Sequence, residues 1–378
     1  MSKILIIQRF FPHYRRFIFD AISKDHELLL LQSNISSNIK QIETTYSKKV
    51  NSWKYSKNET SMFLFVFRDI IRFKPSIIIH EFAIGILSLQ FVLAFCKLMN
   101  IKLVLWSHGY DRKKGFFPSS SIFDWIRLKI INGADGIILY SNSDKELIKK
   151  FADTKKIFVA QNSLDTNDLN KIRQELTKIG TEEVKKNIGF HHKYNLIYIG
   201  RILTSKKPDY LIKAYLLLPE FIKENTCIHF VGEGEYMEQL IILRDLYKIN
   251  SHVCFHGSIY DDYKNGELLY SSDLMVMPGE LGLSVNYAFN FNCPVLSFLK
   301  IDNFPAHGPE VEYVKNDETG FLLGDHTESA LAICIANYLN DDTIQNRMRK
   351  NVYDFSKSVC NVENMIQGLR DCIEQIEK

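Results

Sequence analysis

The chain of 378 residues lacks the usual signals of export, membrane spanning and metal binding. Its seven cysteines include no Cys-x-x-Cys pair, so we predict reduced thiols and no zinc site. The longest apolar stretch, residues 82–99, is interrupted by Ser88, Gln90 and Lys97, which favours a buried helix over a membrane span. Residues 1–8 have no small-residue cleavage site and are interpreted as a first strand, not a signal peptide. These absences favour a cytoplasmic protein.

The charge is unevenly distributed along the chain, although the net charge is only +3. Residues 1–170 contain 25 Lys/Arg and 15 Asp/Glu, a balance of about +10, and seven of these basic residues lie between positions 48 and 74. A basic half favours an anionic partner, either a membrane face or a phosphorylated acceptor. Nucleic acid is not predicted, because the basic residues form no dense run with interleaved aromatics. The alternative is a solvated charge bias without function.

Short apolar runs alternate with helical patterns through the whole chain, as in parallel sheets covered on both faces. The predicted strands are 4–7, 28–31, 77–79, 103–106, 137–140, 157–159, 196–199, 228–231, 253–255, 274–277 and 295–298. Helices are predicted at 14–23, at 61–73 and at 143–151, the last with Ser143 or Asp144 as its N-cap.

A polar stretch at 165–193 interrupts this alternation and indicates two doubly wound α/β domains. We predict an N-terminal domain at 1–180, a C-terminal domain at 190–355 and a C-terminal helix at 356–378. In such folds, ligands bind beyond the carboxyl ends of the strands, here in a cleft between the halves.

The segment 277–295 combines a strand, a Pro-Gly turn and a helix that starts near Gly282 and Leu283. The first N–H groups of a helix have no partner within the helix and attract anions, so a phosphate of a nucleotide sugar is the expected occupant. An ordinary βα turn is the alternative reading of this segment.

Two further turns follow predicted strands in the same half. Gly200-Arg201 and the nearby Lys206 place cations where they can neutralise a diphosphate leaving group. Because the chain contains no Asp-x-Asp, we predict a metal-independent site, with a solvated basic loop as the alternative. Gly232-x-Gly234 allows close approach of a ligand or a tight turn.

Together, these motifs resemble the C-terminal domain of family 4 glycosyltransferases with the GT-B fold. Gly200-Arg201, Lys206, Gly232-x-Gly234 and Gly282-Leu283 occur in the family's order, and His307-Gly308-Pro309-Glu310 is similar to its next element. Trp106-Ser107-His108-Gly109 resembles the family's His-bearing strand end in the first half. The resemblance implies two Rossmann-like domains that face each other across a cleft, with the C-terminal helix crossing back to the first.

The resemblance also implies roles for individual residues. The predicted catalytic residues are His108, Arg201, Lys206 and Glu280. The predicted donor-binding residues are Gly200, Gly232, Gly234, Gly279, Gly282, Leu283, Tyr287 and Glu310. The family has two acids at the positions aligned with Gly279 and Tyr287. Here Glu280 is displaced by one residue from the first, and a phenol replaces the second, which puts ribose recognition in doubt.

The loop after the first strand is aromatic and basic, where the family has glycines. His13, Tyr14, Arg15 and Arg16 are therefore predicted to bind an anionic acceptor, although aromatic packing with solvated arginines is an alternative. Glu81 ends a strand beside the expected cleft and is a candidate acceptor-side base, or else an ordinary loop acid.

These observations predict a retaining glycosyltransferase that needs no metal or other cofactor. It would move a sugar from a nucleotide diphosphate sugar to a lipid-linked or growing surface glycan of the lipopolysaccharide, O-antigen or capsule type. The basic half would make peripheral contact with the anionic inner face of the membrane. The alternatives are a GT-B nucleotide-sugar epimerase and a non-catalytic nucleotide-sugar binder or assembly partner.

Overall fold

The computed structural model describes residues 2–35, 42–56, 61–302 and 304–378 and divides the chain into two compact α/β units. The first unit consists of residues 1–165 and 362–378, and the second of residues 166–361. The polar stretch around 165–193 therefore falls almost entirely in the second unit, where it forms two helices.

Fifteen strands are found among the described residues. They are β1 Lys3–Gln8, β2 Glu27–Ser33, β3 Ser47–Val50, β4 Ser52–Lys54, β5 Met62–Leu64, β6 Ile77–Glu81, β7 Lys102–Trp106, β8 Gly136–Leu139, β9 Ile157–Val159, β10 Tyr194–Ile199, β11 Thr226–Val231, β12 Val253–Phe255, β13 Leu274–Val276, β14 Val295–Phe298 and β15 Gly320–Leu323.

The same part of the chain contains fifteen α-helices. They are α1 Arg16–Asp25, α2 Phe67–Phe73, α3 Ser88–Met99, α4 Ile122–Gly133, α5 Asn142–Ile148, α6 Thr166–Ile179, α7 Thr181–Asn187, α8 Asp209–Leu216, α9 Glu220–Glu224, α10 Met237–Leu246, α11 Asp262–Tyr270, α12 Ser284–Asn290, α13 Glu328–Leu339, α14 Asp342–Ser358 and α15 Val362–Glu377.

The first unit is built on a seven-stranded parallel sheet in the order β3-β2-β1-β6-β7-β8-β9. Side chains alternate across a strand, so Leu5 and Ile7 of β1 enter one core while Ile4 and Ile6 enter the other. α1 and α15 cover the second of these faces. The C-terminal helix thus belongs to the first unit, as predicted.

The second unit is built on a six-stranded parallel sheet in the order β12-β11-β10-β13-β14-β15. α8 packs against α10 and α13, and α12 packs against α6 and α14. In this order β11, β10 and β13 are neighbours, so the turns that follow them meet at one edge of the sheet.

The predicted strands are present, but three predictions about helices were wrong. The segment predicted as one helix at 61–73 contains β5 and the shorter α2, because Met62 and Leu64 alternate inward as in a strand. The helix predicted at 82–99 begins only at Ser88. The N-cap of α5 is Ser141, whose hydroxyl accepts from the backbone N–H of Asp144.

Within the described ranges, no helix combines the length and the apolar character that crossing a membrane requires.

Candidate functional site

A cavity of about 1030 Å³ opens at the carboxyl edge of the first unit's sheet. Side chains that follow β1, end β6 and follow β7 and β8 line it, including Arg9, Glu81, His108 and Tyr140. Parallel strands bring such residues to one edge however far apart they lie in the sequence.

Arg9 and Glu81, which both line this cavity, form an ion pair with three hydrogen bonds. The Arg9 guanidinium donates to Oε1 of Glu81 at 2.5 and 2.8 Å, and the Arg9 backbone N–H donates to Oε2 at 2.7 Å. Burial alone would raise the pKa of Glu81, but the Arg9 charge and hydrogen bonds hold it below its usual value. Glu81 is therefore a weak base, which argues against the role of acceptor-side base.

Arg15 is held between two aromatic rings of the cavity. Its guanidinium lies 5.1 Å from the ring centroid of Trp106 and 5.0 Å from that of Tyr140, and it donates to the Tyr140 hydroxyl at 3.0 Å. Tyr14 also lines the cavity.

Two other residues predicted to bind the acceptor lie elsewhere. His13 is exposed and is not among the residues that line the cavity. Arg16 is also outside the lining and pairs with Asp20 on the surface of α1 at 3.2 Å.

His108 follows β7 and is oriented by a buried carboxylate. Its Nδ1–H donates to Asp144 at 3.0 Å, and Arg112 donates to the other oxygen of the same carboxylate at 2.6 Å. Asp144 is fully buried in the first turn of α5. An imidazole that donates through Nδ1 directs Nε2 away from the carboxylate, which suits a hydrogen-bonding role in the cavity. Sequence reasoning missed Asp144 as a partner because it lies 36 residues after His108.

In the second unit, the turns after β10, β11 and β13 meet at the carboxyl edge of the sheet. Gly232 has φ of +135°, and a Cβ there would lie 2.0 Å from the carbonyl oxygen of Gly200. The position therefore requires glycine. Beside it, the backbone N–H of Ile202 donates to the Glu233 carbonyl at 2.9 Å, so the first two turns are joined.

Lys206 is fixed against the turn that follows β13. Its Nζ donates to the Glu280 carbonyl oxygen at 2.7 Å, and its own carbonyl accepts from the Gly279 N–H at 3.0 Å. Burial lowers the pKa of Lys206 to about 8, against the opposing effect of the nearby Glu280 carboxylate. Arg201, in contrast, has an exposed side chain, while its carbonyl accepts from the Tyr198 hydroxyl at 2.9 Å.

The close contact between these turns explains why the acid is displaced. A Cβ on Gly279 would lie 2.3 Å from the Ser205 carbonyl oxygen, so a carboxylate side chain cannot fit at 279. The next residue, Glu280, accepts a hydrogen bond from the Ser205 hydroxyl at 3.3 Å. The displaced acid thus remains beside the lysine loop.

Tyr287 replaces the second acid, but a carboxylate lies next to it. The Tyr287 hydroxyl donates to Oδ1 of Asp262, the first residue of α11. Asp262 was missed in the sequence because it belongs to a different helix, 25 residues earlier.

The segment from 307 to 310 supports the turn at Gly282. Nδ1 of His307 accepts from the Leu281 N–H at 3.1 Å, and its Nε2–H donates to the Phe298 carbonyl at 2.8 Å. Gly308 donates to the Leu281 carbonyl at 2.8 Å, and Glu310 is buried beside Gly308. Together, these hydrogen bonds hold residues 281–283 in place at the start of α12.

The chain is similar to several glycosyltransferases. Residues 180–355 match the family described as glycosyl transferases group 1. The uncharacterized glycosyltransferase MJ1069 of Methanocaldococcus jannaschii is 23% identical over 302 residues, which make up 76% of this chain and 72% of that protein.

Solved structures with the same fold include Anabaena HepE in complex with UDP. It has a TM-score of 0.71 at 15% identity and covers 99% of this chain and 100% of its own. WaaG, a glycosyltransferase involved in lipopolysaccharide biosynthesis, has a TM-score of 0.66 at 13% identity, with 98% and 99% covered. The chain therefore has the GT-B fold, and the match of its residues 180–355 to the glycosyl transferases group 1 family indicates a glycosyltransferase.

Proposed function

We propose that this enzyme transfers a sugar, with retention of configuration, from a nucleoside diphosphate sugar to a hydroxyl of a surface glycan. The observation that carries the proposal is the set of joined turns in the second unit. Lys206 and Arg201 bring two cations to the carboxyl edge of the sheet, beside glycine positions that admit a ligand close to the backbone.

The diphosphate is the group that this arrangement suits best. Lys206 supplies an ammonium held at a defined point, Arg201 supplies a forked donor, and the N–H groups at the start of α12 supply neutral donors. Two cations can balance the leaving group without Mg²⁺, so we propose that transfer is metal-independent. The first nucleotide to test is uridine diphosphate, because HepE was crystallised with UDP and with UDP-glucose.

We assign ribose binding to Tyr287 together with Asp262. A carboxylate can accept from both hydroxyls of a ribose, which the phenol alone cannot. Asp262 supplies a carboxylate next to position 287, and the Tyr287 hydroxyl orients this carboxylate by a hydrogen bond.

Transfer with retention can proceed on one face of the sugar. The bond between the anomeric carbon and the β-phosphate oxygen breaks, and the acceptor oxygen bonds to the same carbon. The acceptor proton passes to the departing phosphate, so no protein base is needed. Lys206 and Arg201 stabilise the negative charge that develops on the leaving group, and Nε2 of His108, oriented by Asp144, accepts a hydrogen bond from a hydroxyl of the sugar.

The cavity of the first unit is assigned to the acceptor. Its volume of about 1030 Å³ is enough for a small oligosaccharide, and Arg15 gives it a cation framed by aromatic rings. Tyr14 and Arg15 would bind a phosphorylated or otherwise anionic glycan, and Glu81 holds Arg9 in place. Since WaaG is involved in lipopolysaccharide biosynthesis, a lipid-linked glycan of that type is the acceptor that we propose.

Peripheral membrane contact is also part of the proposal. The first unit exposes a group of large apolar side chains on the β4–β5 hairpin and α3, which we call the apolar stripe: Trp53, Phe65, Leu87, Phe91 and Leu98. Exposed basic residues lie in and near the same elements, among them Lys54, Arg68 and Arg72. An apolar surface flanked by cations is typical of proteins that bind an anionic bilayer at its interface.

An acceptor-dependent release assay tests the proposal. We expect nucleoside diphosphate to be released from a UDP-sugar only when a lipid-linked glycan is present. Arg201→Ala and Lys206→Ala should each lower turnover at least tenfold, because each removes at least about 1.4 kcal/mol of stabilisation from the transition state. Lys350→Ala, an exposed lysine on α14 of the same unit, is the matched control and should retain full turnover.

Four results would contradict the proposal. Binding of the donor without any release would favour a non-catalytic binder, and interconversion of donor sugars without acceptor would favour an epimerase. Full turnover in both alanine variants would exclude the diphosphate site. Brief treatment with EDTA should leave the rate unchanged, and restoration of a lost rate by Mg²⁺ or Mn²⁺ would exclude metal-independent transfer.

A further inference from the structure

Two Cys-x-His pairs lie on neighbouring strands of the second unit. Cys227 and His229 belong to β11, while Cys254 belongs to β12 and His256 directly follows it. Residues two apart in a strand point to the same face, and paired residues of parallel strands share a face. The register aligns His229 with Cys254, so all four side chains lie on one face of the sheet.

Three of these side chains, Cys227, His229 and Cys254, lie as close together as the ligands of one metal ion, and His256 lies next to His229. Sγ of Cys227 and Sγ of Cys254 are 3.7 Å apart, and Nδ1 of His229 is 3.1 Å from Nε2 of His256. Ligand atoms of Cys227, His229 and Cys254 all lie within 4.8 Å of one another. In a tetrahedral zinc site, Zn–S of about 2.3 Å and Zn–N of about 2.05 Å give edges of about 3.8 Å between sulfurs and about 3.3 Å between nitrogens.

The surroundings also prepare His229 as a ligand. Its Nε2 faces the Asn195 side-chain oxygen at 3.1 Å, and the Asn195 amide nitrogen in turn donates to the His192 carbonyl at 3.1 Å. This orientation of the amide requires the proton of His229 to be on Nε2, which leaves the lone pair on Nδ1. Hydrogen bonds of this kind fix the tautomer of metal-binding histidines. The Phe190 ring stacks on the imidazole with centroids 3.8 Å apart and shields it from water.

We propose that Cys227, His229, Cys254 and His256 bind one Zn²⁺ ion. Two thiolates and two imidazoles form a neutral tetrahedral complex with Zn²⁺, and the absence of carboxylates from this set disfavours Mg²⁺ and Ca²⁺. Cys227 and His229 are each only 3% exposed. Because the protein supplies all four ligands, no position remains for a substrate, and the site is structural.

The ion would fasten the edge of the sheet below the proposed donor site. β12 is the outermost strand and has only three residues, so few hydrogen bonds hold it to β11. Just beyond the four ligands, Gly232 donates to the Gly257 carbonyl at 2.8 Å. Bonds from both β11 and β12 to one ion would keep the two strands in register and so support the turn at Gly232. The ion itself would not contact the substrate.

Metal analysis of the purified full-length chain tests the site without reference to activity. We expect about one zinc per chain, and Cys227→Ser or Cys254→Ser should weaken zinc retention more than about tenfold. Cys334→Ser is the matched control for Cys254→Ser, since Cys334 lies in the same unit, on α13, is partly buried like Cys254, and should keep the full zinc content.

Replacement of zinc by cobalt provides a second readout that does not require a folded variant. The Co²⁺-loaded native chain should show thiolate-to-cobalt charge-transfer absorption and the intense visible bands of tetrahedral cobalt. A native chain that contains no zinc as purified, and gains none on dialysis against Zn²⁺, would overturn the proposal. So would a Cys227–Cys254 disulfide in the native chain, or equal zinc in the Cys254→Ser and Cys334→Ser variants.

Discussion

The ammonium group of Lys206 lies where water is largely excluded, and this burial determines the pH range in which the group is charged. Burial lowers its pKa from the ordinary value near 10.5 to about 8. This value includes like-charge repulsion from Arg201, which also lowers the pKa, and the opposite effects of Glu280 and Glu310. The protonated form therefore dominates at neutral pH but not in moderately alkaline solution.

The affinity for nucleoside diphosphate should consequently fall as the pH rises through 8. Of the two forms of Lys206, only the ammonium attracts the diphosphate, so affinity is expected to be constant below the pKa and up to about tenfold lower one unit above it. Isothermal titration of UDP between pH 7.5 and 9.5 measures this dependence.

The matched variant for this titration is Lys206→Arg. A guanidinium remains charged over the whole range, so its affinity, whatever its absolute value, should not change with pH. An equal decline in the variant and the native enzyme would show that another group controls the dependence.

Single residues could be predicted where the signal lies within one loop. Gly200, Arg201 and Lys206 fall within seven positions after β10, and Lys206 contacts the turn that follows β13, while the roles of all three stay predictions. Asp144 and Asp262 could not be predicted, because their partners His108 and Tyr287 are distant in the sequence. Only the order of the strands and the packing of the helices bring each pair together.

Among the elements, the buried parallel strands were the most predictable. Strands such as β1 and β10 are covered on both faces and consist almost entirely of apolar residues. The short strands β3, β4, β5 and β15 were missed, because they have only three or four residues and several of these are polar or partly exposed.

The proposed zinc ligands illustrate a different limit. A search for Cys-x-x-Cys assumes that the ligands lie in a turn, where a spacing of three brings two sulfurs together. On a strand the same side is reached every second residue, so the relevant pattern is Cys-x-His. The second Cys-x-His pair lies on and just after the neighbouring strand β12, and the sequence alone does not show that β12 pairs with β11.

The helix α15 depends on one glycine for its contact with the sheet. A Cβ on Gly368 would lie 2.1 Å from the Val159 carbonyl oxygen and 2.8 Å from Cα of Ala160. Both atoms belong to the backbone, so neither can move away as the end of a flexible side chain would. The space at position 368 therefore sets how closely α15 approaches β9.

Gly368→Ala should destabilise the first unit. Alanine favours a helix by about 1 kcal/mol over glycine, but overpacking against backbone atoms costs about 1–3 kcal/mol. We expect a net loss on the order of 1 kcal/mol in the free energy of unfolding, measured by urea denaturation followed by circular dichroism.

Glu374→Ala is the control on the same helix, because Glu374 is exposed and its replacement leaves the buried face of α15 unchanged. It should unfold at nearly the native urea concentration. A Gly368→Ala variant more stable than the native protein would mean that helix propensity outweighs the contact with Val159.

At the scale of the molecule, the basic charge and the apolar stripe occur together in the first unit. Some of the basic charge is already neutralised, since Lys48 pairs with Asp69 at 2.5 Å and Lys49 with Glu43 at 2.6 Å. Lys57, which belongs to the same basic segment, lies outside the described residues. The sequence-based prediction of membrane contact rested on charge alone. The apolar stripe would add a second, hydrophobic contribution to the membrane affinity.

We expect the enzyme to sediment with anionic vesicles and only weakly with neutral ones. Each basic residue near the bilayer contributes about 1 kcal/mol, and salt at about 0.5 M should weaken this part of the binding. Reversing Lys54, Arg68 and Arg72 to Glu should release the protein at low salt. Replacing Phe91 and Leu98 by Ser should remove the binding that resists salt.

A control with the same change in net charge separates local from overall electrostatics. Reversing Lys186, Lys264 and Lys350, which are exposed on the second unit, should leave vesicle binding unchanged. Equal binding of the native enzyme to neutral and anionic vesicles, or none to either, would contradict membrane contact through the first unit.

The position of α15 also affects the order in which the protein can fold during synthesis. Its buried residues Met365, Leu369 and Ile373 cover the face of the sheet that contains Ile4 and Ile6 of the first strand. α1 covers part of that face, but the part that α15 covers stays exposed until residue 373 has been synthesised, which follows residues 166–361. The second unit can therefore fold earlier than the first, and the nascent first unit presents an apolar surface that chaperones would bind.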